Sequence, residues 1–215
     1  MAFVYIYVVA RDFGFAPNPF HGYCSLATCK PDIRSTAKIG DWVIGVGGGR
    51  LKATGKCIFA MLVTQKITFN EYWQGVEYND KKPLRNGSKK MLLGDNIYYF
   101  NSNTSAWEQA PSHHSHADGS INISNKNRDT QSAFVLLSNN FYYFGKSAPI
   151  IPPNLLDTIG YKNHRKHRKY KYDEAAELIH WLNTNYSDKL NQVLDDPFDF
   201  NKSHKHYSVD TDKIT

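Results

Sequence analysis

No stretch of this sequence approaches the roughly 18 consecutive apolar residues that a membrane-spanning helix needs. Its N-terminus carries neither a basic lead nor an apolar run ending in a small-residue cleavage pattern. Both absences point to a cytoplasmic protein with no membrane partner. Cysteine is scarce: Cys24, Cys29 and Cys57 are the only three in 215 residues. An odd count leaves one thiol over if a bridge forms, and a chain of this length needs no staple, so reduced thiols are expected. No Cys-x-x-Cys pair occurs. A P-loop is missing as well, because five residues rather than four separate Gly49 from Gly55, and Cys57 stands where a magnesium-holding Ser or Thr would be. No cofactor is expected.

The composition is globular, with 41% hydrophobic and 14% aromatic residues, a content that disordered chains lack. At 215 residues the chain suits one sizeable core, with or without an appendage. A formal charge of +6 fits a polyanionic partner and fits plain solubility equally well.

Apolar runs bounded by Gly, Asn and Pro clusters predict strands at 3–10, 41–46, 57–64, 96–100, 134–137 and 141–144. Between the first two, residues 31–39 predict a short helix, with Pro31 or Asp32 at its start and Gly40 past its end. Residues 101–129 are rich in Asn, Ser and His and predict a long polar excursion, either functional or mobile. A basic run from Tyr161 to Tyr172 follows, and Asp173 then caps a helix whose Ala175, Leu178, Ile179, Leu182 and Tyr186 share one face. From about Asp195 the periodicity stops and a loose tail is expected, with Phe198 and Phe200 as its docking points. The expected organisation is a core domain over 1–155, a basic segment with a packed C-terminal helix over 156–195, and a polar tail over 196–215.

The most informative stretch is 13–31, where Phe15, Pro17, Asn18, Phe20, His21, Cys24 and Cys29 interrupt two strand-like runs. Together with the runs at 40–45, 127–132, 135–138 and 141–145, it resembles the nucleotide modification associated domain type 2 family, over roughly residues 3–155. That resemblance implies association with enzymes or readers of modified nucleotides in bacteria and their phages, and carries no settled reaction. The order strand, helix, Gly40-Asp41 turn, strand is also similar to the PUA-like superfamily that includes EVE and ASCH domains. The expected class is α+β, mainly β, and the second similarity implies a twisted β-barrel with a short helix after the first strand and a base-sized pocket.

Each candidate site has a plain structural alternative. Phe15, Pro17, Phe20 and Trp42 offer faces for stacking a base, while Asn18 and His21 supply donors and acceptors for its edge; equally, the rings cap a core and Asn18 closes a turn. Arg128 and Asp129 either face a ligand or fix their loop as an ion pair. His21, Cys24 and Cys29, with His113, His114 and His116, suggest zinc, but an extended segment would point Cys24 and Cys29 to opposite faces, so no metal is expected. A nucleophilic cysteine paired with His21 or His114 is the catalytic alternative. Lys162, Arg165, Lys166, Arg168 and Lys169, interleaved with tyrosines, suit a phosphate backbone, or form a solvated face.

The leading reading is a binding module for a modified or flipped base, with nucleic acid or a modified nucleotide as partner. The rivals are an enzyme acting on a modified nucleotide through a Cys/His pair, and an interaction subunit with a protein partner in a modification or phage-defence assembly. A mouth lined by rings and amides favours the reader, and a hydrogen-bonded Cys–His pair favours the enzyme.

Overall fold

β-Branched and aromatic residues fill the strands because extended backbone lets their stiff side chains pack on both faces of a sheet. The computed structural model describes residues 1–164 and 166–215. In chain order the strands are β1 (Phe3–Val9), β2 (Cys24–Leu26), β3 (Trp42–Gly47), β4 (Cys57–Leu62), β5 (Gln65–Thr68), β6 (Tyr98–Asn101) and β7 (Ala106–Gln109). They continue with β8 (Phe134–Ser138), β9 (Phe141–Tyr143), β10 (His167–Lys171), β11 (Gln192–Val193), β12 (Tyr207–Ser208) and β13 (Lys213–Ile214). The helices are short: α1 (Pro31–Thr36), α2 (Phe69–Gln74), α3 (Lys89–Leu92), α4 (Ile123–Asp129), α5 (Pro153–Thr158) and α6 (Ala176–Asn185). The class is α+β with strands dominant.

Two compact units emerge, each discontinuous in sequence. The first comprises 1–12, 37–65 and 138–198. Its six-stranded sheet has the order β10-β1-β3-β4-β9-β11, in which β1 runs parallel to β3 and the β3–β4 and β4–β9 pairs are antiparallel. Among the described residues these pairings define an open sheet with β10 and β11 at its edges, and no closed barrel. Asp41 ties the turn before β3, its carboxylate accepting from the Phe3 and Lys38 amides at 2.8 and 2.9 Å. The glycines after it serve close packing. A Cβ on Gly47 would sit 2.2 Å from the Ala53 carbonyl oxygen, and the Gly47 and Gly48 amides already donate to Lys56 and Val9. The expected apolar face of the C-terminal helix is real: Ala175, Leu178, Ile179 and Leu182 are buried.

The second unit comprises 13–36, 66–137 and 199–215. Its β2-β8-β5 sheet and β6–β7 hairpin enclose an apolar cluster that includes Phe15, Phe20, Phe69, Tyr72, Tyr98 and Leu137. Burying each such side chain stabilises the fold by roughly 1.5–3 kcal/mol. Two expectations are corrected here. Residues 101–129 are no excursion, since they supply β7 and α4 and bury Ser112, His113, His114 and Ser115. The tail is not loose throughout, because Phe200 is buried in the apolar cluster and β12 pairs with β13. Polar composition suggested solvent in both places; the polar groups are hydrogen-bonded inside instead.

Candidate active site

The chain leaves β2 and reaches Cys29 and Lys30, both in the left-handed region with φ of 56° and 42°. Two consecutive non-glycine residues there store strain that surrounding contacts must hold. Those contacts are specific. The Cys29 amide donates to Asp129 Oδ1 at 2.7 Å, and its carbonyl accepts from Arg34 Nε at 2.8 Å. Arg34, one turn into α1 and fully buried, also donates to the carbonyls of Phe134, Ser132 and Asp129. A guanidinium spent on four backbone oxygens fixes the bend carrying the thiol.

Asp129 ends α4, whose start is set by the Asn122 side chain accepting from the Asn125 amide at 3.0 Å. Its Oδ2 meets His114 Nδ1 at 2.7 Å and accepts from the Tyr98 hydroxyl at 2.9 Å. The far nitrogen of the same ring, Nε2, faces Cys29 Sγ at 3.9 Å. Gln109 and Asn125 hold the His114 carbonyl at 3.2 and 2.9 Å, and the Phe15 ring packs on the imidazole with centroids 4.7 Å apart. Thiol, imidazole and carboxylate are thus in line, the carboxylate bracing both the base and the backbone of the sulfur.

Electrostatics agree with that geometry. Burial opposes charge on His114, but the adjoining Asp129 carboxylate and Cys29 outweigh it and raise its pKa to about 10. Burial opposes charge on Asp129 as well, and His114, Arg34 and the Cys29 amide overcome it, lowering its pKa. Both shifts favour an imidazolium–carboxylate pair. His113, stacked beside it, is held neutral chiefly by burial, with its Nδ1 at 2.7 Å from the Lys205 carbonyl. Cys29 is half-buried, unlike Cys24 and Cys57. Among the described residues, no group of three or more His, Cys, Asp and Glu side chains is disposed to hold a metal ion.

Family comparison bears on what such a site serves. The model of nucleotide modification associated domain 2 matches residues 1–204. The chain belongs to this family. Its description ties the nucleotide modification associated domain to nucleotide modification without specifying a reaction. No curated protein and no solved structure matches the chain significantly.

Within this member of the family the sequence candidates scatter. Phe15 and Phe20 are buried in the second unit's apolar cluster, Pro17 is buried after a cis bond from Ala16, and Asn18 is fully enclosed. Asn18 donates to the Leu93 carbonyl at 2.7 Å, and its Oδ1 accepts from the Phe20 amide and Lys81 Nζ. Its amide group serves the loop. His21 is exposed, and burial of part of its ring together with Lys81 lowers its pKa. Cys24 is enclosed and burial pushes its pKa up to about 12, which disfavours the thiolate that a nucleophile needs. Asp129 pairs with His114 rather than with Arg128, which stands exposed on α4. Trp42 lies in the first unit, lining a shallow cleft of about 400 Å³ with Tyr172, Asn140 and Asn183.

Of the basic run, Lys162, Lys166, Arg168 and Lys169 are exposed, and Arg165 lies outside the described residues. Arg168 and Lys169 belong to β10, an edge strand, where Lys169 Nζ sits 3.9 Å from the Phe3 ring centroid. Sequence reasoning missed Arg34, Tyr98 and Gln109. It also missed a buried network in which Lys81 donates to Asn18, Tyr23 and Ser25 while Asp95 accepts from Ser25 and Tyr72. Burial lowers the Lys81 pKa to about 8 against the opposing charges of Asp95 and Cys24. A lysine inside 76–81 and an arginine inside 31–36 carry no local signal of burial, because their partners lie up to 100 residues away.

Proposed function

We propose that this chain is a thiol-dependent enzyme of nucleotide modification, with Cys29 as nucleophile, His114 as acid–base group and Asp129 as its orienter. One observation carries the reading: the Cys29 sulfur, both ring nitrogens of His114 and the Asp129 carboxylate lie in sequence, at 3.9 and 2.7 Å. A triad of this order is recognised by geometry and roles, since residue order varies freely among unrelated folds. An imidazolium facing the sulfur suits a thiolate, and the loose 3.9 Å contact is the kind that tightens around a substrate. The proton on Nε2 is placed to reach a leaving group, which favours attack on an acyl-type carbon of a modified base or nucleotide. The thiolate forms a C–S bond, His114 protonates the departing nitrogen or oxygen, and water activated by His114 then releases the acyl group.

A second reading, a module that binds a modified base or nucleic acid, is supported by the exposed cations on and before β10 and by the Trp42 cleft with its two asparagines. It is compatible with the first, because an enzyme on polymeric substrate needs a backbone contact. The likeness to PUA-like domains belongs to this reading, supported by a helix, α1, that leads through Gly40-Asp41 into β3, with β2 standing between β1 and that helix. A place in a DNA-modification or phage-defence assembly, with a protein partner, is part of the same proposal.

The test is covalent trapping. Incubation with nucleosides carrying amide- or ester-linked base modifications, followed by intact and peptide mass spectrometry, should reveal an acyl adduct on Cys29. The adduct should vanish in Cys29→Ala. Turnover of the same compounds by Cys29→Ala at the wild-type rate would refute the reading.

A further inference from the structure

His114 sits in a segment with neither helix nor strand, between the end of β7 at Gln109 and the start of α4 at Ile123. Residues Ser112 to Ser115 are nevertheless buried, so their backbone carbonyls need partners from other elements. The C-terminal segment 204–215, in the same compact unit, supplies two of them. The His113 oxygen accepts from the Tyr207 amide at 2.8 Å, and the Ser115 oxygen accepts from His206 Nδ1 at 3.0 Å. A carbonyl only accepts, so His206 carries its proton on Nδ1, and its Nε2 accepts from Arg85 Nη2 at 3.3 Å. The same guanidinium donates to the His204 carbonyl at 2.7 Å, and His113 Nδ1 donates to the Lys205 carbonyl at 2.7 Å. The carbonyl of His114 itself is joined to the segment through one side chain. Asn125 Nδ2 donates to the His114 oxygen at 2.9 Å and to the Tyr207 oxygen at 2.5 Å, while its Oδ1 accepts from the Val209 amide at 2.9 Å. The Tyr207 ring lies against the His114 imidazole, with centroids 5.7 Å apart. No residue from 204 to 215 is buried, β12 and β13 pair over two residues each, and a hairpin of that size is not stable alone. Ile214 packs on the apolar cluster, and the polar contacts of His206, Tyr207 and Val209 converge on the segment that carries His114 and on Asn125.

We propose that residues 204–215 form a strap that sets the position of His114, with Asn125 and Tyr207 as the positioning residues through which it acts on the Cys29 site. The inference rests on the thiol-enzyme reading for the use made of that position, and it adds an element that lies outside the triad. With the strap in place, both neighbours of His114 and its own carbonyl are fixed, and the imidazole is held with Nδ1 on Asp129 and Nε2 towards Cys29. With the strap released, His113 and Ser115 lose the donors from Tyr207 and His206, and the ring can leave the line that proton transfer requires.

Substitutions of Tyr207 in the full chain test this. Its hydroxyl donates to Asp212 at 3.3 Å, so Tyr207→Phe keeps the ring against His114 and serves as the conservative control, while Tyr207→Ala removes the ring. Cys24 and Cys57 are fully buried, so peptide mapping follows Cys29. Alkylation of Cys29 by iodoacetamide at pH 7 should slow roughly three- to tenfold in Tyr207→Ala, less than the loss of the acid–base group itself would cause, and Tyr207→Phe should restore the rate. A second readout separates position from stability. The His114 pKa, which burial lowers and Asp129 raises to about 10, should move towards the ordinary 6.5 in Tyr207→Ala, as followed by the imidazole signals in NMR. An unchanged titration and an unchanged Cys29 rate in a Tyr207→Ala variant that melts like wild type would overturn the strap. A displaced titration with Cys29 slow in every form would keep the strap and sink the thiol-enzyme reading. A Cys29 rate that depends on His114, with neither readout moved by Tyr207→Ala, would do the reverse. Should Tyr207→Ala fail to fold, hydrogen exchange in the wild type decides: the Tyr207 and Val209 amides should exchange at least about tenfold more slowly than free amides, and free exchange there would overturn the proposal.

Discussion

Asn18 and Asp129 stood together as ligand candidates in the sequence, and the structure gives them different duties. Asn18 has its donor on the Leu93 carbonyl and its acceptor shared by the Phe20 amide and the Lys81 ammonium. Asn18→Ala would strip the buried Phe20 amide and Leu93 carbonyl of these bonds, so it should cost about 2–3 kcal/mol of stability. Chemical denaturation would measure that cost, and a stability within error of wild type would return Asn18 to the list of ligand groups. The thiols illustrate the same limit of reading. Cys24 and Cys29 are alike as letters, but β2 encloses the first and the left-handed bend carries the second to the surface of the site. No spacing rule distinguishes them, because the difference is one of backbone conformation and of partners distant in sequence.

At the scale of elements, the strongly apolar runs were legible: β1, β3, β4, β8 and β9 lie within two residues of their expected bounds, as does the start of α1. Their period and β-branched content report burial directly. The failures are polar. The segment 101–129 yields β7 and α4 because Asn, Ser, His and Gln there bond to one another and to backbone, a pattern that hydropathy scores as solvent. Within the basic run, His167–Lys171 form the edge strand β10, pairing with β1 from Tyr7 to Phe3. Lysines on an edge discourage stray strand pairing, which is their bland role. If they also meet phosphates, affinity for an oligonucleotide should fall with salt by roughly one log-log slope unit per contact. Replacing Lys166, Arg168 and Lys169 by Gln should then flatten that slope about equally for all sequences. Identical slopes in wild type and variant would confine the strand to its bland role.

Across the whole molecule the family was legible and the site only partly so. The apolar and glycine-bearing motifs that place the chain in the nucleotide modification associated domain 2 family are local runs, whereas Cys29, His114 and Asp129 are separated by 85 and 15 residues. Sequence named each of the three, Cys29 as a thiol paired with His21 or His114 and Asp129 as a ligand group, without joining them. What joined them was the second unit's own topology, which draws 13–36, 66–137 and 199–215 into one body. In the proposed reaction His114 and Asp129 activate Cys29. The most direct measurement is the rate of Cys29 alkylation by neutral iodoacetamide at pH 7 in wild type, His114→Gln and Asp129→Asn, each checked for folding by its melting curve. Folded His114→Gln should react at least about tenfold more slowly than wild type, within the range expected for losing a positioned acid–base partner, with Asp129→Asn between the two. Equal rates in wild type and folded His114→Gln would contradict it.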